Sequence, residues 1–422
     1  MCYNWGEVIL LFYEYYYLLY ARMGRILADK IKKWAAITLI TITTIFIAFI
    51  IVSSILLSPT FVFRILTRWD ASVEDYRFFP CRTITASGNP HLYEYNLNPE
   101  LEDLFITLGN QEVRFSDFVV DSGSFSFIIV HNDIVIYEQY ANGRDRYSTN
   151  TSFSAAKSLV SLLIGRAIED GYIESHHQSI ADIIYEFRDT DMEYITIRDL
   201  LLMRSDIYYE ETGFLWFGRH DAFTYWMPNL RQVALNHRRL TDQYEGRFNY
   251  NNYHPLLLGI ILEHSTGMSV SEYFEQSFWH PIGANYDASW SLDSNRSGFE
   301  KMESGFNFRP IDLVRIGSML LNDGYWNGQQ IISPEWIQMS TVVDFPINPN
   351  DYIGSFLEGA NIGYGYMWYS WPSISGGMDF FAMGRFGQIL YISPANNVVI
   401  LRTGNGDVPP GVFAEIATLI GQ

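Results

Sequence analysis

The run Trp34 to Leu57, WAAITLITITTIFIAFIIVSSILL, carries no charged residue over 24 positions. As a helix it rises about 1.5 Å per residue, roughly 36 Å in all, enough to cross a hydrocarbon core of roughly 30 Å with some tilt. Arg22, Arg25, Lys30, Lys32 and Lys33 precede it, whereas only Arg64 and Arg68 follow closely. That bias places the N-terminus in the cytoplasm and everything after Ser58 outside. A cleaved signal peptide is the rival reading, but the run is long for such a segment and no A-x-A-type site follows. The expectation is one uncleaved transmembrane helix in the cytoplasmic (inner) membrane, with the folded domain on the extracytoplasmic side. Residues 1–22 are aromatic-rich and interrupted by Glu7 and Glu14. They read either as preceding a natural start at Met23 or as a segment lying on the membrane surface.

The rest is long enough for one large domain or two modest ones. The formal net charge of -19 argues against a nucleic-acid partner, because phosphate neutralisation needs clustered Lys and Arg. Cys2 and Cys81 bracket the apolar run, so they fall on opposite sides of it and form neither a disulfide nor a metal motif. His176-His177 follows the helix-ending Gly171 and reads as a solvated turn, so no metal or other cofactor is expected. Lysine is nearly abandoned after Lys33: only Lys157 and Lys301 remain.

Four segments are expected: a short cytoplasmic piece (1–33), the anchor (34–57), a juxtamembrane connector (58–100) and one large domain (101–422). Within it, SFSFIIVHNDIVIYEQY is two β-rich runs split by Asn132-Asp133, a hairpin signal. A helix over Ser154–Asp170 follows, then helical patterns and loops from about 180 to 310. FGQILYISPANNVVILRTG is a second hairpin turning at Pro394–Asn397, and GVFAEIATLIGQ a closing apolar helix. Strands near both ends with helices between imply an α/β (α+β) fold. It has one antiparallel sheet drawn from both chain ends, flanked by helices, and a mostly helical subdomain.

The chemistry candidates begin with Ser154 and Lys157, three residues apart and therefore on one helix face. Serine is a poor nucleophile without a neighbouring base. For Lys157 to take its proton, the lysine pKa must fall from about 10.4 toward neutrality, through burial or a nearby positive charge. A helix start also offers a free N–H to a developing oxyanion. By itself the pair reads more readily as an N-cap serine and a solvated first-turn lysine. A second proton carrier is needed, a serine in S-D-N or a tyrosine in Y-x-N. Ser205-Asp206-Ile207 lacks the asparagine; Tyr140-Ala141-Asn142, Tyr325-Trp326-Asn327 and Tyr250-Asn251-Asn252 fit the tyrosine form. The last directly precedes an apolar helix, where a loop can present its side chains to a cleft.

In order, FSAAKSLVSLLIG, ITIRDLLLMRSDI, FNYNNYHPLLLGIILEHSTG, SGFNFRPIDLVRIGSMLL and FAMGRFGQILYISP resemble the β-lactamase-related serine hydrolases. These include class C β-lactamases, D,D-peptidases, family VIII-type esterases and 6-aminohexanoate-dimer hydrolases. The resemblance runs from about residue 124 to the C-terminus and implies a β-lactamase/D,D-peptidase-like fold. It implies Ser154 as nucleophile, Lys157 as its activator, Tyr250 as proton shuttle and Asn252 as a substrate contact. The family's K/H-x-G strand motif falls on Arg385-Phe386-Gly387, and the N–H groups of Ser154 and Gln388 would form the oxyanion hole. Two departures stand out. Arg385 replaces a Lys or His that can titrate, although it can bind a substrate carboxylate. Asp206 replaces the glycine of a Ser-Gly turn, and aspartate takes positive φ less readily.

The expected protein is a membrane-anchored serine hydrolase cleaving small ester, amide or peptide-like substrates through an acyl-serine. The alternatives are a β-lactamase or D,D-peptidase acting on cell-wall-type substrates, and a non-catalytic receptor that is acylated by its ligand.

Overall fold

In the computed structural model, residues 5–210, 220–342, 345–347 and 362–422 are described; Cys2 lies outside them. The chain divides into two compact units, Met1–Thr67 and Arg68–Gln422.

The first unit is dominated by one helix, Trp5–Leu56, with its apolar side chains from Leu10 to Phe49 exposed. Its stretch Leu10–Leu56 is long and apolar enough to cross a membrane. The helix continues through the basic flank because Arg, Lys, Leu and Ala are all good helix formers, so residues 5–22 are one piece with the apolar run.

The second unit is built on an antiparallel sheet drawn from both chain ends. Across it run residues 345–346, 363–364, 369–372, 378–384, 388–393, 398–404, 124–131, 134–140 and 94–95. The last strand to be made, Val398–Gly404, pairs with the early strand Ser124–His131, setting Ile400 opposite Ile129 and Leu401 opposite Ile128. Asn132 and Asp133 both take φ near +50 to +60, which a two-residue hairpin turn requires. Strands Gln388–Ser393 and Val398–Gly404 are buried along their whole length, because helix Pro310–Leu321 packs against both and Gly411–Gly421 closes the sheet as well. Helix Ala156–Glu169 packs on helix Tyr253–Thr266, which is buried from Tyr253 to Leu262, and this covers Leu159, Leu162, Leu163 and Ala167.

Two expectations about organisation differ from what is found. The segment expected as a connector is woven into the folded unit: Cys81–Ile84 pairs with Ala288–Ser291, and Glu94–Tyr95 adds a parallel edge to the large sheet. The region 180–310, expected as mostly helical patterns and loops, also contributes strands, since Ala288–Ser291 and Phe306–Phe308 belong to a second, four-stranded sheet with Cys81–Ile84 and Asn150–Thr151. Strands of two to four residues are too short for alternation to register in the sequence.

Candidate active site

Strand Asn150–Thr151 leads into a tight turn, Phe153–Ala155, and then into helix Ala156–Glu169. The turn is clamped from one side: Ser152 N–H donates to Phe306 O at 2.8 Å. Phe153 sits at φ +45, a left-handed conformation that costs a bulky residue on the order of 1–3 kcal/mol. Its ring meets Phe386, itself at φ +64, edge-to-face at 5.3 Å. Two strained phenylalanines, one before Ser154 and one after the strand Met378–Gly384, thus hold each other in place.

Ser154 is not a helix cap: the residues at the starts of the turn and helix, Ser152 and Ala155, make no side-chain cap bond. Its Oγ instead accepts a hydrogen bond from Lys157 Nζ at 3.0 Å. Lys157 is not solvated either, being 2% exposed, and its Nζ also donates to the main-chain oxygen of Glu303 at 3.0 Å. The same nitrogen lies 4.8 Å from the centre of the Tyr250 ring. Of the three Y-x-N triplets, only that of Tyr250 is seen to touch the pair. Tyr140 donates to Glu138, while Asn142 and Asn327 hold main-chain oxygens in turns. Asn251 is buried and structural, bonding Ile207 O and Tyr253 N–H. Asn252 donates to Tyr209 OH at 2.8 Å, and its buried Oδ1 has no hydrogen-bond partner.

The remaining expected residues lie one turn further along the sheet. Strand Met378–Gly384 pairs with Tyr369–Pro372 only as far as Phe381, so its end faces the Ser154 turn. A Cβ on Gly384 would sit 2.1 Å from Ser152 O and 3.1 Å from Ser154 N; only glycine permits this approach. Gly387, at φ +71, approaches Arg402 and the Gly406 oxygen instead. The Gln388 side chain binds the oxygens of Arg385, Phe386 and Gly404. Arg385 forms a two-pronged pair with Asp70, both bonds 2.7 Å. Burial alone would raise the Asp70 carboxyl, but the Arg385 bonds and the Ala71 N–H outweigh it and hold it below the usual range.

Beside Lys157 lies a second buried cluster. Lys301 Nζ donates to Glu303 Oε1 at 2.8 Å and to Tyr225 O at 2.7 Å, and both charged side chains are 2% exposed. Tyr225 donates to Asp75 Oδ2 at 2.8 Å, and burial, reinforced by the Asp75 carboxylate, pushes the phenol well up. The only two lysines after Lys33 therefore meet at one residue, Lys157 on its main chain and Lys301 on its carboxylate.

The model of the family described as Beta-lactamase matches residues 120–422. The chain belongs to the beta-lactamase family. The 6-aminohexanoate-dimer hydrolase of Paenarthrobacter ureafaciens is 23% identical over 319 residues, 73% of this chain and 78% of that protein. Among solved structures, a Bacillus anthracis protein with the provisional name 6-aminohexanoate-dimer hydrolase superposes with a TM-score of 0.72 at 22% identity. That match covers 83% of this chain and 92% of the other. A class C beta-lactamase from Rhodobacter sphaeroides gives 0.55 at 13% identity, over 73% and 96%. These likenesses fix the fold.

In this beta-lactamase-family chain the altered Ser205-Asp206 turn is accommodated. Asp206 adopts φ +59 and accepts the Gly246 N–H at 2.9 Å, while Ser205 bonds the buried His254 at 2.6 Å. Gly384, Lys301, Glu303 and Asp70 were not singled out by motif. The scarcity of lysine is a signal that could have found Lys301; nothing in the local sequence points to Asp70, which is 315 residues from its partner. A surface hollow lined by Tyr172, Asp182, Tyr185, Glu186 and His264 shares no residue with the Ser154 cluster.

Proposed function

We propose that the protein is a serine hydrolase of ester or amide bonds, working through an acyl-enzyme on Ser154. The observation that carries this reading is the bond from the buried Lys157 side chain to Ser154 Oγ. Ser154 Oγ attacks the substrate carbonyl carbon, and its proton passes through Lys157 and Tyr250 to the leaving group as the scissile bond breaks. Because Glu303 O holds one N–H of Lys157, the amine is oriented before substrate arrives. The oxyanion is held by the Ser154 N–H and by main-chain N–H at the end of strand Met378–Gly384. We place the second donor there, rather than at Gln388, because Gly384 is the strand residue in close approach to Ser154. Water then attacks the acyl carbon and releases the acid. Asn252, with its unpartnered buried Oδ1, is the candidate contact for a substrate N–H.

The name of the Paenarthrobacter relative supports amide substrates for this chain, and the apolar N-terminal helix supports a membrane anchor with the domain outside. The test is hydrolysis by full-length protein in detergent micelles of a panel of esters, small amides, D-amino-acid amides and nitrocefin, with Ser154→Ala as control. Turnover of the esters or amides, lost in Ser154→Ala, is expected; nitrocefin as the preferred substrate would favour the β-lactamase reading. Stable acylation without turnover would favour the receptor reading. Membranes washed at alkaline pH are expected to retain the protein, and its release would contradict the anchor.

A further inference from the structure

The two lysines that meet at Glu303 are held differently. Lys301 donates to the Glu303 carboxylate and to Tyr225 O, and its Nζ lies 3.9 Å from the centre of the Tyr225 ring and 4.6 Å from that of Phe79. A carboxylate and two ring faces favour a charged lysine. Two of the bonds at Lys157 go instead to uncharged oxygens, Ser154 Oγ and Glu303 O. To accept the Ser154 proton, Lys157 has to stand as the free amine, and a carboxylate nearby opposes that.

Glu303 brings such a carboxylate close. Its main-chain oxygen is 3.0 Å from Lys157 Nζ, and its side-chain oxygens are at most about 6.5 Å further along the same residue. They therefore lie within about 10 Å of that nitrogen. Oε1 accepts from Lys301 and Ser304, while the buried Oε2 has no hydrogen-bond partner. The turn that carries both charges is tied to itself. Lys301 O accepts the N–H groups of Ser304 and Gly305 at 3.2 and 2.7 Å and the Trp290 Nε1–H at 3.0 Å. A Cβ on Gly305 would sit 2.8 Å from the same oxygen.

The other groups around Lys157 do not take over the balancing of that carboxylate. Tyr250 turns a ring face to the amine. Burial keeps His254, on the helix packed against that of Lys157, from taking a proton until about pH 3. Tyr225 is a phenol bonded to Asp75, and Asp75 itself feels the charges of Lys301 and Arg68. Arg385 is paired with Asp70.

We propose that Lys301 is a positioning residue for Lys157: through Glu303 it fixes the main-chain oxygen that holds the Lys157 amine, and it cancels the carboxylate charge that would otherwise keep that amine protonated. The inference rests on the hydrolase reading and adds to it the pair that sets the charge state of the base. A full charge uncovered 10 Å away, at an effective dielectric constant of about 20, moves a titration midpoint by about one pH unit.

The experiment is the rate of Ser154 labelling by a fluorophosphonate as a function of pH, on full-length protein in detergent micelles. In that reaction Ser154 Oγ bonds to phosphorus, fluoride leaves and the serine proton passes to Lys157, so no turnover is needed. The wild-type rate is expected to rise with pH through a midpoint set by Lys157. Lys301→Met moves the midpoint up by about one pH unit, because the Glu303 charge is uncovered. Glu303→Gln, which keeps the main-chain oxygen but leaves Lys301 unbalanced, moves it down, and the two changes together return it to the wild-type position. Unfolding temperatures establish which variants are folded during the assay; where Lys301→Met is not, Glu303→Gln and the double variant decide. A midpoint unmoved or raised by Glu303→Gln overturns the proposal, as does one unmoved or lowered by folded Lys301→Met. Failure of the hydrolase reading shows separately, as wild-type protein that takes no label on Ser154 at any pH.

Discussion

The side-chain nitrogen of Lys157 stands 3.0 Å from the hydroxyl oxygen of Ser154, inside a cluster where the lysine is 2% exposed. A capping serine and a solvated lysine would share the same spacing in sequence but neither of those environments. Burial and a third partner, Glu303 O, separate the two readings.

If Lys157 and Tyr250 move the proton, the leaving group decides how much each matters. Lys157→Met should lower kcat about 10²–10⁴-fold on every substrate. Tyr250→Phe should lower it comparably on alkyl esters and amides, whose leaving groups need a proton. On p-nitrophenyl esters, whose phenolate departs unaided, its loss should be much smaller. Equal losses on both substrate types would remove Tyr250 from the proton path.

The two glycines near Arg385 should behave differently. Gly384→Ala drives a methyl group into Ser152 O, so it should abolish labelling of the serine by a fluorophosphonate along with turnover. Gly387→Ala meets Arg402 at a positive φ and should lower the unfolding temperature while labelling persists in the folded fraction. The reverse pattern would return the oxyanion donor to Gln388.

Lys301→Met should destabilise the protein by about 3–5 kcal/mol, because it strands the buried Glu303 carboxylate. Lys301→Met with Glu303→Gln should recover most of that loss. Urea unfolding of the two variants checks it, and equal destabilisation would mean that the charge is not what matters.

Burial pushes the His254 imidazole down from an ordinary 6.5 to about 3. The unfolded chain therefore binds a proton below pH 6.5 that the native chain refuses until about pH 3. Stability from this residue is complete above pH 6.5 and lost as pH falls across that window. His254→Gln, which can still bond Ser205, should show a smaller drop in unfolding temperature between pH 7.5 and pH 4.5 than wild type. An equal drop would assign the acid sensitivity elsewhere.

What could be read in advance follows physical range. Both hairpins were legible because their turns use local chemistry, Asn132-Asp133 in one and Pro394–Asn397 in the other. Ser154, Lys157 and Tyr250 were legible as short motifs, and the structure brings their side chains together. The role of Gly384 was not, since two glycines three residues apart in GRFG look alike until one strand end is laid against the Ser154 turn. Nor was the weaving of residues 81–95 into two sheets, whose strands are too short to show a period. Asp70 depends on a contact across 315 residues, for which no local pattern exists.

The most direct measurement is peptide mass spectrometry of full-length protein after fluorophosphonate treatment, run beside Ser154→Ala. One adduct is expected, on Ser154, with loss of both adduct and ester turnover in the variant. An adduct on another serine of the folded protein, or turnover that survives Ser154→Ala, would contradict it.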